Sequence, residues 1–227
     1  MIIGFMHIYA VNDYKKIVED QVRRIYDSGL IQHVSRIYYC VVGPEPYIIE
    51  ESKYCLLDCS NNMSDHEIFT LHHIHKIAKN TEKNFKLFYI HTKGVTRPEE
   101  KALQDWRELM EYFCLNQWQY ALEALDVGDT AGINIRYYGK VAKRFHYSGN
   151  FWWANSHYIK TLPHLSKEGY GREVNRWDGE FWIGDGNGRM VSLWESRQHH
   201  GSRQYGPSNY EGKSPQMRYY GRPKNGS

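Results

Sequence analysis

The sequence carries no large excess of charge of either sign. Its 227 residues contain 29 Lys and Arg against 26 Asp and Glu, a formal net charge of +3. This balance argues against a protein that binds polyanions through bulk charge, although a local basic patch is compatible with it. Charged residues make up 24% of the chain and hydrophobic residues 41%, which excludes both a disordered chain and a fibrous repeat. We expect a globular protein that does not bind nucleic acid.

Cysteines are few, and long apolar runs are absent. The four cysteines, at 40, 55, 59 and 114, are too few for a disulfide framework, and we expect them to be reduced and mostly buried. The apolar segment 2–11 lacks a preceding basic stretch and is followed at once by polar residues, which is not typical of a signal peptide. No run reaches the length of a membrane-spanning helix. These features predict a cytoplasmic protein without a membrane span.

Aromatic residues, in contrast, are abundant. The chain has 19 Tyr, 8 Phe and 7 Trp, together 15% of its residues. Tyr and Trp combine an apolar ring with a polar group, so they suit sugars and nucleotide bases as well as an ordinary core. Their number alone does not decide between these uses.

Short apolar runs alternate with helical patterns over the first 135 residues. The runs are rich in β-forming residues and predict strands at 2–11, 35–42, 54–58, 85–90 and 130–135. Apolar residues at helical spacing predict a helix that ends before Gly29, a second at 64–79 and a long third one from Pro98. Ser64 and Glu67 have the spacing of a capping box for the second helix. This order predicts βα units that form a parallel, covered sheet.

The C-terminal half is less regular. Segment 146–154 is aromatic and β-like, and short helices are predicted at 156–162 and 173–183. Beyond Trp194 the chain is rich in Gly, Ser, Arg and Tyr and lacks periodicity. We therefore predict an α/β fold with one domain over residues 1–200, irregular in its C-terminal part, and an extended tail over residues 201–227.

The candidate ligand site follows from the predicted sheet, because ligands of open parallel sheets bind beyond the carboxyl ends of the strands. Four loops qualify, at 9–13, 43–45, 58–62 and 91–94. The first and third carry amides and a carboxylate that can bind a base or ribose, and Lys93 beside Gly94 suits a phosphate. The glycine-rich dinucleotide fingerprint and the P-loop motif are both missing, which argues against hydride transfer and P-loop chemistry.

Three motifs follow one another between residues 88 and 184. They are FYIHTKGV at 88–95, YSGNFWWA at 147–154 and WDGEFWIG at 177–184. In this order and spacing the chain resembles a family of glycosyltransferase-like proteins of the GT-A fold, found in bacterial polysaccharide loci and large DNA viruses. The resemblance covers residues 1–200 and implies a Rossmann-like, mostly parallel sheet. It also implies that a hexosyl or deoxyhexosyl group moves from a UDP- or GDP-sugar to a saccharide hydroxyl.

The resemblance assigns expected roles to residues of this sequence. The expected donor-binding residues are Tyr9, Asn12, Asp58, Asn61, His91, Thr92 and Lys93. The residue types themselves, and not the resemblance, predict the acceptor-binding residues, because small and amide groups lie next to two adjacent tryptophans: Ser148, Gly149, Asn150, Trp152 and Trp153. Since adjacent strand residues face opposite sides, one of the two tryptophans is expected in the core and the other as a sugar platform. The alternative is that both rings only pack in the core.

Glu180 and Asp178 are the candidates for the general base. Inverting transfer to a hydroxyl needs a carboxylate that removes the acceptor proton. On a helix these two side chains lie about 200° apart, so only one can face a cleft. The resemblance favours Glu180, with Asp178 as second choice. The alternative for Glu180 is a surface ion pair with Arg176, four residues earlier.

One motif departs from the resembling family. GT-A enzymes commonly place a D-x-D after the fourth strand, where two carboxylates hold Mg²⁺ or Mn²⁺, whereas this chain has His91-Thr92-Lys93. The sequence favours neutralisation of the diphosphate by Lys93, with Arg97 or a tail arginine, and no resident metal. The alternative is Mg²⁺ or Mn²⁺ held by His91 with His199 or His200. A catalytically inactive module that binds nucleotide sugars or carbohydrates is the alternative function.

Overall fold

The N-terminal half consists of regular β–α units. The computed structural model describes residues 1–137, 144–196 and 205–221. Its first elements are β1 (Ile2–Tyr9), α1 (Tyr14–Asp27), α2 (Leu30–His33), β2 (Val34–Val42), β3 (Tyr54–Ser60), α3 (Ile68–Asn80) and β4 (Lys86–His91). Every residue of β1 except Tyr9 is buried, as a parallel strand covered on both faces requires. Gly29 follows α1 with a φ of +72°, the left-handed conformation that commonly ends a helix.

The C-terminal half has shorter elements. They are α4 (Lys101–Glu111), α5 (Trp118–Val127), β5 (Thr130–Gly132), β6 (Ile135–Tyr137), β7 (Phe145–Tyr147), β8 (Trp152–Asn155), α6 (Ser156–Ile159), α7 (Lys167–Tyr170), α8 (Arg176–Phe181), β9 (Met190–Ser192) and β10 (Arg218–Tyr220). The single long helix predicted from Pro98 is therefore two α-helices, separated by a short π-helical segment at Tyr112–Asn116. None of the helices in the described ranges is long and apolar enough to cross a membrane.

Eight strands form one mixed sheet in the order β10-β9-β5-β8-β4-β1-β2-β3. Strands β3, β2, β1 and β4 run parallel, whereas β8 is antiparallel to both β4 and β5. Successive strands proceed outward from β1 to β3, and the chain then returns to place β4 on the other side of β1. The order thus reverses between β1 and β4, which makes their carboxyl ends the topological switch point of the sheet. The predicted α/β fold with a mainly parallel sheet is confirmed.

Trp152 and Trp153 pack in the two cores on opposite faces of this sheet. Both rings are 0% exposed, and their Nε1 atoms donate hydrogen bonds to Asn150 Oδ1 and the Cys114 carbonyl oxygen. The predicted alternation is present. However, the expectation that one ring forms a sugar platform is wrong, because β8 lies between β4 and β5 and both its faces are covered.

The C-terminal segment is part of the fold. Tyr205 and Tyr210 are buried in the core, and β10 pairs antiparallel with β9 at the edge of the sheet. The description of residues 201–227 as an extended tail is therefore wrong for residues 205–221, and the domain continues past residue 200. The aromatic side chains of this segment supply apolar area that holds it against the body of the protein.

Candidate functional site

A cavity opens at the switch point, beyond the carboxyl ends of β1 and β4. Side chains from both strands, from the segment before α3 and from α8 line it. They include His7, Tyr9, Glu67, His91, Thr92, Lys93, Arg97, Arg176 and Glu180. Of the four loops expected to converge, the first and the fourth reach this cavity. The loops at 43–45 and 58–62 do not line it.

His7 and His91 are paired neighbours on β1 and β4 and line the base of the cavity. His7 Nδ1 lies 2.8 Å from Thr70 Oγ1, and burial lowers the pKa of His7 to about 3. His91 Nε2 lies 2.9 Å from the Gly149 carbonyl oxygen, which can only accept, so this nitrogen carries the proton. Burial also lowers the pKa of His91 although Glu67 opposes the shift. Both imidazoles are therefore neutral at neutral pH.

Glu67 is the functional candidate that the sequence pattern did not reveal. Its Oε2 accepts hydrogen bonds from Asn150 Nδ2 at 2.6 Å and from the Tyr89 hydroxyl at 3.1 Å. Its Oε1 lies 3.8 Å from His91 Nδ1. Burial opposes ionisation of this carboxyl, but its interactions with His91, His7 and Lys93 and the Asn150 hydrogen bond outweigh burial, so the pKa of Glu67 lies below its ordinary value.

The capping box predicted from Ser64 and Glu67 does not form. Ser64 lies in a 3-10 turn capped by Asn62, and α3 begins only at Ile68. Because α3 begins later than predicted, the Glu67 side chain can reach Asn150, 83 positions away in sequence. The usable sequence signal was its place in the segment that follows a parallel strand, where functional side chains concentrate.

The turn at 148–150 holds the cavity residues rather than offering an open acceptor surface. Asn150 is 1% exposed and adopts a φ of +60°, a strained conformation for a residue with a side chain. Its amide bridges Trp152, Glu67 and the Gly179 carbonyl oxygen. Gly149 has a φ of +89°, and a Cβ there would lie 2.3 Å from Met110 Sδ. The conspicuous Ser-Gly-Asn motif thus serves to orient Glu67 and His91.

Glu180 faces the cavity from α8. Its side chain is 24% exposed, and Arg176 Nη2 approaches its Oε1 only to 4.0 Å. Burial, helped by the negative charge of Glu67, raises the pKa of Glu180 against the opposing effect of Lys93 and Arg176. A carboxylate with a raised pKa in a cavity is suited to accept a proton.

Asp178 has a different environment from Glu180. Its carboxylate accepts the Asn175 backbone N–H in a capping box and forms ion pairs with Arg172 and Arg144. The backbone and arginine partners outweigh burial and lower the pKa of Asp178. It does not line the cavity, so its place is structural, at the start of α8.

Lys93 extends into the cavity above a supported loop. Its Nζ lies 4.5 Å from the centroid of the Trp106 ring, within the range of a cation–π contact. Gln21 Nε2 donates to the His91 carbonyl oxygen at 3.0 Å, and Arg107 Nη1 donates to that of Lys93 at 3.1 Å. The loop that carries the lysine is thus fixed by buried side chains from α1 and α4.

Several predicted donor residues have other partners. Asn12 Nδ2 donates to the Val95 carbonyl oxygen at 2.9 Å, so Asn12 supports the Lys93 loop from outside the cavity. Thr92 Oγ1 accepts the Tyr9 N–H at 2.9 Å, joining β4 to β1. Asp58 belongs to β3, is exposed, and faces His73 at 3.3 Å. Asn61 is exposed, and neither Asp58 nor Asn61 lines the cavity.

Among the described residues, the cavity lacks a complete set of ligands for a divalent metal ion. No group of three or more His, Cys, Asp and Glu side chains converges within these ranges. His91 keeps only Nδ1 for a ligand, because its Nε2 donates to the Gly149 carbonyl oxygen. His199 and His200, the suggested co-ligands, lie outside the described residues. The four cysteines are unpaired, with Cys40 and Cys114 buried and Cys59 exposed.

Comparisons with known proteins place the chain in a family. No curated protein matches it. A family described as a domain of unknown function (DUF8361) matches residues 5–214, a range that includes both the cavity and the packed part of the C-terminal segment. The chain belongs to this family of domains of unknown function.

Proposed function

We propose that the cavity transfers a hexosyl or deoxyhexosyl group from a UDP- or GDP-sugar to a saccharide hydroxyl, with inversion. The main support is a partly buried carboxylate, Glu180, whose raised pKa fits a general base, in one cavity with Lys93, Arg97 and Arg176. Such a combination suits a reaction in which a proton is removed while a phosphate group leaves with negative charge. The motifs that resemble GT-A glycosyltransferases add to this support.

Side chains of the cavity can take up the proton and stabilise the charge of the leaving group in the proposed step. The acceptor hydroxyl loses its proton to the Glu180 carboxylate while its oxygen forms a bond to the anomeric carbon. The bond between this carbon and the diphosphate oxygen breaks, and the electron pair stays on the diphosphate. Lys93 is the cation assigned to that developing charge, because its loop is held in place by Gln21 and Arg107. Arg97 and Arg176 are the further cations of the cavity.

Nucleotide-sugar binding is the first test. Thermal-shift measurements with UDP-, GDP- and TDP-sugars, each with Mn²⁺ and with EDTA, should raise the melting temperature for at least one donor. Stabilisation that EDTA leaves unchanged would agree with charge neutralisation by Lys93. The absence of stabilisation by every nucleotide and nucleotide sugar would refute the proposed function.

Glu180→Gln tests the assigned base. We expect this variant to keep donor binding and to lower transfer by at least about 100-fold, the scale of general-base catalysis. Glu173→Gln is the matched control, because Glu173 has an 81% exposed side chain paired with Lys167 outside the cavity. Undiminished transfer by Glu180→Gln would move the base elsewhere. Donor binding without any transfer by the wild-type protein would instead identify a nucleotide-sugar-binding module.

A further inference from the structure

The Glu67 carboxylate has one occupied oxygen and one oxygen directed toward the cavity. Oε2 is held by Asn150 and Tyr89 at 2.6 and 3.1 Å. Among the described residues Oε1 receives no hydrogen bond, and His91 Nδ1 stands 3.8 Å away. The side chain of Glu67 is 20% exposed, so Oε1 can be reached from the cavity that it lines. The side chain is thus fixed in place and keeps an acceptor for a ligand.

His91 presents a second acceptor beside this oxygen. Its Nε2 carries the proton that bonds to the Gly149 carbonyl oxygen, and its lowered pKa keeps the ring neutral. The remaining nitrogen, Nδ1, therefore offers a lone pair. Two acceptors 3.8 Å apart, with no donor hydrogen between them, match a ligand that supplies two neighbouring hydroxyl groups.

The surrounding backbone maintains this geometry. Asn150 has a φ of +60°, which costs strain in a residue with a side chain, and Gly149 has a φ of +89°, which glycine adopts without such a cost. Asn150 orients Glu67 through its amide and Gly149 orients His91 through its carbonyl oxygen. The Trp152 Nε1–H bond to Asn150 Oδ1 fixes which end of the amide faces the carboxylate. Strain of this kind is retained where the geometry of a site requires it.

We propose that Glu67 Oε1 and His91 Nδ1 form the sugar subsite of the donor pocket and accept hydrogen bonds from two neighbouring hydroxyls of the transferred sugar. This inference rests on the proposed function and identifies the part of the donor that Glu67 recognises. It also separates the two cavity carboxylates. Glu67, held ionised by its partners, binds hydroxyls, and Glu180 takes the acceptor proton. Environments that move two carboxyl pKa values apart commonly mark such separate tasks.

The experiment compares a nucleotide sugar with its free nucleotide. For the donor that stabilises the wild-type protein most, isothermal titration calorimetry measures both dissociation constants in wild type, Glu67→Gln and Glu82→Gln. Glu82 is an exposed glutamate in the loop before β4 and serves as the control. We expect Glu67→Gln to weaken the nucleotide sugar about tenfold or more, as for a lost hydrogen bond to a charged group, and to leave the free nucleotide unchanged.

The outcomes separate this inference from the proposed function. Equal weakening of the nucleotide and the nucleotide sugar in Glu67→Gln, or no change in either, would overturn the sugar subsite alone. Failure of the wild-type protein to bind either ligand would refute the proposed function. If Glu67→Gln fails to fold, deoxy analogues of the donor sugar replace it. At least two neighbouring hydroxyls should each be needed for full affinity in wild type, and equal affinity of all the analogues would overturn the subsite.

Discussion

Two groups of polar side chains, one buried and one partly exposed, lie on either side of the loop that follows β4. Behind it, Glu111 is 1% exposed and has Arg24 Nε and Arg107 Nε at 3.2 and 3.4 Å, with Gln21 Nε2 at 2.9 Å. In front of it, Glu67 and Glu180 face the cavity, and the nearest described arginine, Arg176, reaches Glu180 only to 4.0 Å. The same residue type is thus paired with two arginines in one region, whereas in the other no arginine of the described residues comes closer than 4.0 Å.

This difference distinguishes structural from functional carboxylates. A buried carboxylate paired with arginines is tied to the fold, and removing one partner of such a pair is strongly destabilising. A carboxylate in a cavity without a close cation is less tied to the fold and remains available to a ligand. Residue type alone does not separate Glu111 from Glu180. Their exposure, 1% against 24%, and the number and distance of their arginine partners separate them.

Replacing glutamate by glutamine at Glu111, Glu67 and Glu180 tests most directly whether structural and functional carboxylates differ in their contribution to stability. We expect Glu111→Gln to lower the free energy of unfolding by about 3 kcal/mol, because it leaves Arg24 and Arg107 without their counter-charge. Glu67→Gln and Glu180→Gln should each change it by less than about 1 kcal/mol, since substitutions at functional sites commonly cost activity rather than stability. Urea denaturation followed by far-UV circular dichroism measures all three. Equal losses at the three positions would break the distinction.

The pH dependence of stability tests the protonation state of His7 at the bottom of the cavity. His7 is neutral in the native state, with a pKa of about 3, whereas in the unfolded chain it titrates near 6.5. Between these values the unfolded state binds more protons, so the stability contributed by neutral His7 decreases as the pH falls below about 6.5. The loss is about 1.4 kcal/mol per pH unit, or about 2 kcal/mol at pH 5.

His7→Asn isolates this contribution from those of the other titratable groups. Asparagine can still bond to Thr70, but it does not titrate. We expect the variant to show a shallower decline of the unfolding free energy between pH 6.5 and 5 than the wild-type protein does. Parallel curves from urea denaturation at each pH would show that His7 is not held neutral.

Asp178→Asn has the smallest expected effect. It tests whether Asp178, like Glu111, is a structural carboxylate that is paired with arginines. The substitution keeps a hydrogen-bond acceptor for the Asn175 N–H but removes the charge that faces Arg172 and Arg144. Because both arginines are partly exposed and remain solvated, we expect a loss of about 1 kcal/mol. Donor binding by thermal shift should equal that of wild type. A change in donor affinity larger than about threefold would show that Asp178 is one of the carboxylates that act in function.

The elements of the parallel half could be predicted because their signals are local. Segments such as 35–42 and 85–90 are short apolar runs, and α1 shows helical spacing up to Gly29. These patterns, with the rule on strand ends, also indicate the loops that carry Tyr9 and Lys93. Prediction was poorer where short strands depend on distant partners, as in the pairing of β10 with β9.

The cavity itself could be predicted only in part. Helix geometry predicts that only one of Asp178 and Glu180 faces a cleft, and the resemblance favours Glu180, which lines the cavity. The local pattern around Glu67 predicts only a helix cap. The capping-box signature is a four-residue pattern, whereas the contact that decides the Glu67 side chain comes from Asn150, 83 residues away. Trp152 and Trp153 are the opposite case. Their position near polar residues predicts a surface for a sugar, but the order of strands in the sheet buries both rings.

The sequence by itself determined the order of strands and helices in the parallel half and the chemical groups available at its strand ends, because periodicity and turn residues act over a few positions. Only the tertiary structure decided which carboxylates receive arginine and which face the cavity. It did so by returning β4 to the side of β1, inserting β8 antiparallel beside it and placing α8 over their ends. The spacing of four residues records the Arg107–Glu111 and Arg176–Glu180 pairs. The Arg24–Glu111 pair and the burial of these groups depend on residues far apart in sequence, which no local pattern records.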